Sequence, residues 1–174
     1  SKDYFDKSID GQVNVSIRDR QPGSSFKPFV YLAAFKKGFT PETQMWDVDT
    51  NFSTDDGKDY NPKNYDGKNH GLLQMKNALA MSLNVPAVQT LYLAGVQDSI
   101  SLAKSLGITT LNRPDDYGLS LVLGGGEVKL VDHVNAYSTL ATGGVRHDKV
   151  AILKVIDSSG EILEEYKSDP GERV

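Results

Sequence analysis

The sequence contains no cysteine, so disulfide frameworks, thiolate chemistry and cysteine-ligated metals are all excluded. That suits an extracytoplasmic bacterial domain. No basic run and no basic-aromatic stripe occurs, and the net charge is −4, which argues against nucleic acid as the main partner. No apolar stretch is long enough to span a bilayer, and no signal peptide is visible. Membrane contact is therefore expected only through an anchor outside this sequence. There are three histidines, His70, His133 and His147, and none has metal-ligand spacing. No metal or cofactor is expected. A Gly-x-Ser-x-Gly elbow is also missing, although a Ser-His-Asp triad can assemble from distant positions. Gly124-Gly125-Gly126 lacks a following P-loop lysine and reads as a tight turn near a cleft.

What is present is 174 residues of ordinary apolar and charged content, enough for one domain or most of one. The first twenty residues are polar, with a weak strand-like alternation at Val13, Val15 and Ile17. A helix is predicted from about Ser24 to Lys37, with Phe26, Val30, Ala33 and Ala34 on its apolar side. Pro28 must lie in its first turn, and Gly38 stops it. Thr40-Pro41-Glu42 has the composition of a helix start. Asp47 to His70 reads as a long loop, a class that is usually functional or disordered. Further helices are predicted at about Leu73–Met81, Pro86–Ala94, Asp98–Leu106 and Leu130–Ala141. Gly118 to Leu123 looks like a short buried segment. Val150–Ile156 and Glu161–Tyr166 flank Asp157-Ser158-Ser159-Gly160, a hairpin signal. A lone hairpin is marginal, so it either packs on the helices or belongs to a larger sheet.

Chemistry concentrates in Gln21-Pro22-Gly23-Ser24-Ser25-Phe26-Lys27-Pro28. Helix positions i and i+3 share a face, so Ser24 and Lys27 can meet, whereas Ser25 and Lys27 cannot. A serine hydroxyl needs a base to become a nucleophile. A lysine amine can be that base if burial lowers its pKa. Ser-x-x-Lys alone is weak, since about one match is expected by chance in a chain of this size. A second match, Ser101-Leu102-Ala103-Lys104, lies in an amphipathic helix and reads as a solvated face. Ser24 is either a nucleophile at a helix start, where unpaired N–H groups can hold an oxyanion, or simply an N-cap. Ser82-Leu83-Asn84 lies between two helices. A hydroxyl there can relay a proton and an Asn amide can donate and accept, or one of the two can merely cap the helix near Pro86.

Together these segments resemble the penicillin-binding proteins, whose motif set is Ser-x-x-Lys, Ser-Asp-Asn and Lys-Thr-Gly. Arg20 to Pro28 resembles the nucleophile segment of the class A members, the bifunctional peptidoglycan synthases. Tyr60-Asn61-Pro62-Lys63-Asn64-Tyr65-Asp66-Gly67, Ala78-Leu79-Ala80-Met81-Ser82-Leu83-Asn84-Val85-Pro86-Ala87 and Tyr117 to Val128 also resemble theirs, in the family's order. The resemblance implies an α+β, serine β-lactamase-like fold, here a mostly helical part with an incomplete antiparallel sheet. It makes Ser24 the acylated nucleophile, Lys27 its general base, Ser82 the proton relay and Asn84 the group that holds the substrate amide. Leu83 stands where the motif has Asp. No Lys-Thr-Gly occurs, so residues 1–174 are expected to be the central part of a transpeptidase domain, cut at both ends.

The activity so implied is D,D-transpeptidation of D-Ala-D-Ala stem peptides of peptidoglycan, with β-lactams as acylating mimics. The implied setting is the extracytoplasmic face of a bacterial membrane, with a glycosyltransferase domain N-terminal and the remaining strands C-terminal. The alternatives are a D,D-carboxypeptidase or β-lactamase-like hydrolase, or, for this fragment alone, a non-catalytic helical scaffold.

Overall fold

The computed structural model describes residues 2–52 and 59–174. The alternation at Val13, Val15 and Ile17 does not make a strand. That segment is a series of turns with Val15 and Ile17 exposed; the first strand among the described residues is β1 (Asp19–Arg20). A single 3-10 turn, Gly23–Phe26, then runs into helix α1 (Lys27–Lys36). Pro28 sits in the first turn of α1, where its missing N–H costs nothing. The expected one-sided apolar face is replaced by a nearly all-round buried helix. Lys27, Phe29, Val30, Tyr31, Ala33 and Ala34 are all inside.

Thr40-Pro41-Glu42 does not start a helix. Thr43 N–H donates to the Thr40 carbonyl and Thr40 N–H to Thr43 Oγ1, which closes a turn. The chain leaves it as β2 (Gln44–Asp47), with side chains alternately exposed and buried. β2 pairs antiparallel with β3 (Gly71–Gln74), Asp47 opposite Gly71. This pairing takes Leu73 and Gln74 from the predicted helix, which begins instead at Met75 as α2 (Met75–Ala80). It also brings the two ends of the long loop together; residues 53–58 of that loop lie outside the described residues.

α3 (Asn84–Ala94) and α4 (Val96–Ser105) follow, and both pack on α1. Phe29, Val30, Ala34, Val88, Leu91, Ile100 and Leu106 belong to the shared core. The Gly118–Leu123 segment is a 3-10 turn, Leu119–Leu123, with Leu121 and Val122 buried. β4 (Val128–Lys129) pairs with β1 and leads into α5 (Leu130–Ala141), the helix predicted there.

β5 (Val145–Arg146), β6 (Lys154–Ile156), β7 (Ile162–Glu165) and β8 (Glu172–Arg173) complete the chain. β6 and β7 form the predicted hairpin, and β5 pairs with β8. Asp157 Oδ1 accepts from the Ser159 and Glu161 N–H groups and so fixes the hairpin turn. Every residue of β7 is exposed, so the helical core lends that strand little support. Among the described residues the strands form four separate two-stranded antiparallel ladders rather than one sheet. The architecture is α+β. No helix among the described residues is long and apolar enough to cross a membrane.

Candidate active site

Two glycine backbones set the turn that carries Ser24. Gly23 has φ +59°, a left-handed conformation that glycine adopts without steric penalty. Gly124, also left-handed at φ +91°, packs directly against it. A Cβ on Gly124 would lie 2.2 Å from Gly23 N and 2.5 Å from Gly23 Cα. The three-glycine run is thus a close-packing device behind the serine turn. Ser24 itself is exposed, and its hydroxyl makes no hydrogen bond among the described residues. It therefore caps nothing; only its carbonyl is engaged, by the Lys27 N–H.

Lys27 is 1% exposed. Its Nζ lies 2.6 Å from the Ser82 carbonyl, 2.8 Å from Asn84 Oδ1, 3.2 Å from the Leu83 carbonyl and 3.2 Å from Ser82 Oγ. No carboxylate is among these partners. Burial without a counter-charge disfavours the ammonium form, and the Lys27 pKa is lowered to about 8. A neutral amine has two N–H groups and one lone pair. The N–H groups match the two shortest contacts; of the two groups at 3.2 Å, the Leu83 carbonyl can only accept, and the Ser82 hydroxyl can donate to the lone pair.

Ser82 reaches Lys27 because of how α2 ends. Leu83 N–H donates to the Ala78 carbonyl and Ser82 N–H to the Leu79 carbonyl, the bond pair of a Schellman motif. That motif needs a left-handed residue, usually glycine. Here Ser82 takes it at φ +54°. The conformation turns one residue into two Lys27 contacts, through carbonyl and hydroxyl.

Asn84 opens α3, and no side chain of its own segment caps that helix. The orphan N–H groups of a helix start need acceptors. Asn64 supplies one: its Oδ1 accepts from Asn84 N at 2.8 Å and Val85 N at 3.3 Å. Asn64 Nδ2 donates to both oxygens of the fully buried Asp47 carboxylate, each at 2.8 Å, and to the Lys68 carbonyl. Asp47 Oδ2 also accepts from His70 N and lies 2.7 Å from His70 Nδ1. Asn84 Nδ2 donates to the Lys63 carbonyl at 2.7 Å, which aims Oδ1 at Lys27. The Tyr60–Gly67 block is therefore not simply solvated loop, although Tyr65 within it is fully exposed.

The structure thus gathers Lys27, Ser82 and Asn84, and holds Ser24 one turn ahead of Lys27 without a hydrogen bond between them. Ser101 and Lys104 are both exposed on α4, as their spacing predicted. No group of histidine and acidic residues among the described residues is arranged to hold a metal ion. Sequence reasoning missed Asp47, Asn64 and His70 as props of the α3 start. It also missed His133, whose Nε2 lies 2.9 Å from Ser25 Oγ. Helical spacing places His133 and Tyr137 on one face of α5, a signal that was available but had no visible partner in sequence.

Comparison with known proteins places the chain in a family. Residues 7–171 match the family model of the penicillin binding protein transpeptidase domain. Penicillin-binding protein 2D of Bacillus subtilis is 40% identical over 151 residues, covering 84% of this chain and 21% of that protein. The chain spans about a fifth of the length of the curated relatives it matches. Among solved structures, penicillin-binding protein 1A of Haemophilus influenzae superposes with a TM-score of 0.82 at 26% identity, over 90% of this chain and 23% of that one. PonA1 of Mycobacterium tuberculosis in complex with penicillin V gives 0.76 at 26% identity, over 88% of this chain and 43% of that one. Family model, relatives and fold agree, and the chain belongs to the penicillin-binding protein transpeptidase family.

Proposed function

We propose that the protein carrying this chain is a D,D-transpeptidase that crosslinks peptidoglycan through an acyl-serine at Ser24. The observation that carries the proposal is Lys27: a buried lysine with no carboxylate partner among the described residues, its pKa lowered to about 8, one helical turn from a serine hydroxyl that no described residue engages. At pH 7 about one molecule in ten then holds the neutral amine, ready to act as base.

The lone pair of Lys27 takes the Ser24 proton as Oγ attacks the carbonyl carbon of the penultimate D-alanine. Backbone N–H groups near the serine turn help stabilise the oxyanion. Collapse breaks the amide C–N bond, and the departing D-alanine amine receives the proton from Lys27 through the Ser82 hydroxyl, 3.2 Å from Nζ. Asn84 positions the substrate amide and holds Lys27 in place. An amine from a second stem peptide then attacks the acyl-enzyme, passes its proton back along the same route and releases Ser24. A β-lactam follows the first half and stalls as a stable ester. The same reading places the protein at the outer face of a bacterial cell membrane, anchored through other parts of the parent chain.

Covalent labelling of the full-length protein by a fluorescent penicillin tests this. Ser24→Ala abolishes the label, while Ser25→Ala and Ser101→Ala still label to completion. A labelled Ser24→Ala protein rejects the nucleophile assignment.

A further inference from the structure

The residue beside the proposed nucleophile is held more firmly than the nucleophile. Ser25 Oγ lies 2.6 Å from the Pro22 carbonyl and 2.9 Å from His133 Nε2, and the Ser25 carbonyl accepts from Tyr137 OH at 2.8 Å. His133 and Tyr137 stand one turn apart on α5. Their rings and Phe29 from α1 form a three-way edge-on cluster with centroid separations of 5.3–5.4 Å. α1 and the serine turn are therefore linked through His133 and Tyr137 of α5.

The proton inventory fixes the roles. A carbonyl only accepts, and at 2.6 Å Pro22 O must receive the single Ser25 hydroxyl proton. His133 Nε2 is then the donor to Ser25 Oγ, and Nδ1 carries the lone pair. Among the described residues Nδ1 is buried without a partner. Protonating it would bury a charged N–H with no acceptor, and burial accordingly holds the His133 pKa below its ordinary value. The arrangement is unsuited to a serine–histidine nucleophile pair. The Ser25 proton is committed elsewhere, and no carboxylate orients the ring from Nδ1.

What needs this brace is the serine turn. It is four residues of 3-10 helix, a form with weaker hydrogen-bond geometry than an α-helix, and it starts at a left-handed glycine. Because the Ser24 hydroxyl has no hydrogen bond of its own, its position follows from the backbone, and a displacement of ~1 Å can cost roughly a hundredfold in rate. We infer that His133 and Tyr137 are positioning residues that clamp Ser25 from its hydroxyl and its carbonyl and so hold Ser24 in line for acylation. This rests on the proposed role of Ser24.

The test is rapid kinetics of penicillin acylation in the full-length protein, separating the dissociation constant from the acylation rate constant, with melting temperatures alongside. His133→Leu lowers the acylation rate constant about tenfold with an unchanged dissociation constant, as loss of one anchoring donor predicts. His133→Gln restores most of the rate, because its amide N–H replaces the Nε2 donor. Ser25→Ala combined with His133→Leu is slowed by less than the product of the two single effects, since both remove the Ser25–His133 bond. Tyr137→Phe slows acylation through the carbonyl side. A wild-type rate in His133→Leu, a His133→Gln protein as slow as His133→Leu, or multiplying effects in the double variant overturns the inference. If His133→Leu does not fold, Ser25→Ala, His133→Gln and Tyr137→Phe carry the test, and a wild-type rate in both Ser25→Ala and Tyr137→Phe is refuting. Ser24→Ala run in parallel separates the two readings: if it still labels, the nucleophile assignment fails; if it is silent while His133→Leu is fully active, only the brace fails.

Discussion

Lys27 Nζ and Asn84 Oδ1 stand 2.8 Å apart in a buried pocket where the lysine meets only neutral acceptors. A neutral amide does not favour the charged amine; a carboxylate would favour the ammonium. Acylation by β-lactam should therefore depend on a single group with a pKa of about 8. Below that pH the rate falls about tenfold per unit as the amine protonates, and above it the rate levels off. Asn84→Asp sets a negative charge against Nζ and favours the ammonium, so its profile shifts to higher pH, by about 1–3 units. Acylation rates of both proteins across pH 6–10 check this. A flat wild-type profile, or an Asn84→Asp midpoint at or below that of wild type, removes Lys27 as the base.

The left-handed Ser82 predicts a conflict between stability and activity. A non-glycine residue at φ +54° carries a steric cost of about 1–2 kcal/mol, partly matched by the extra backbone entropy that glycine loses on folding. Ser82→Gly should raise the melting temperature by roughly 1–4 °C while slowing acylation at least tenfold, because the hydroxyl is gone. Ser82→Ala should lose the same activity without the thermal gain. If Ser82→Gly melts below wild type, the strain argument is wrong; if either variant acylates normally, the relay is.

The close approach of Gly124 to Gly23 makes a sharper prediction. A methyl group 2.2 Å from Gly23 N meets backbone, which cannot rotate away. Gly124→Ala should therefore displace the serine turn, destabilise the protein by more than about 2 kcal/mol and abolish penicillin labelling. Gly118→Ala is the control. Nothing lies within 4 Å of its added Cβ and its φ is negative, so melting temperature and labelling should match wild type.

The limits of sequence reading follow the range of the interactions. α3, α4 and α5 were legible because Pro86, Gly107 and Gly143-Gly144 punctuate them locally. Thr40-Pro41-Glu42 carried the same local signals as a helix start, yet β2 formed because its partner β3 lies across the long loop. The meeting of Lys27 with residues 82–84 was suggested by motif resemblance, but no spacing rule specifies contacts 55 to 57 residues apart. Asn64 is one polar residue in a loop rich in them, and only its bond to the start of α3 distinguishes it. His133 met its partner Ser25 across 108 residues, where helical periodicity shows the face but not what it faces.

Asn64 is where the loop supports the site, and its loss should be costly in both stability and rate. It bridges a fully buried carboxylate at Asp47 to the unsatisfied N–H groups of Asn84 and Val85. Asn64→Ala leaves those donors without their acceptor and the carboxylate with His70 as its remaining partner. Stranding such groups costs about 2–4 kcal/mol, or roughly 5–15 °C in melting temperature. Acylation should fall as well, because Asn84 loses the backbone anchor that helps aim its amide at Lys27. Asn64→Asp should be at least as damaging, since it sets a second carboxylate against Asp47. Tyr65→Ala, one residue along and fully exposed, should change neither property. Thermal melts and acylation rates of the three variants in the full-length protein decide the matter: an Asn64→Ala protein that melts and reacts like wild type would mean that the loop is ornament to the site rather than its support.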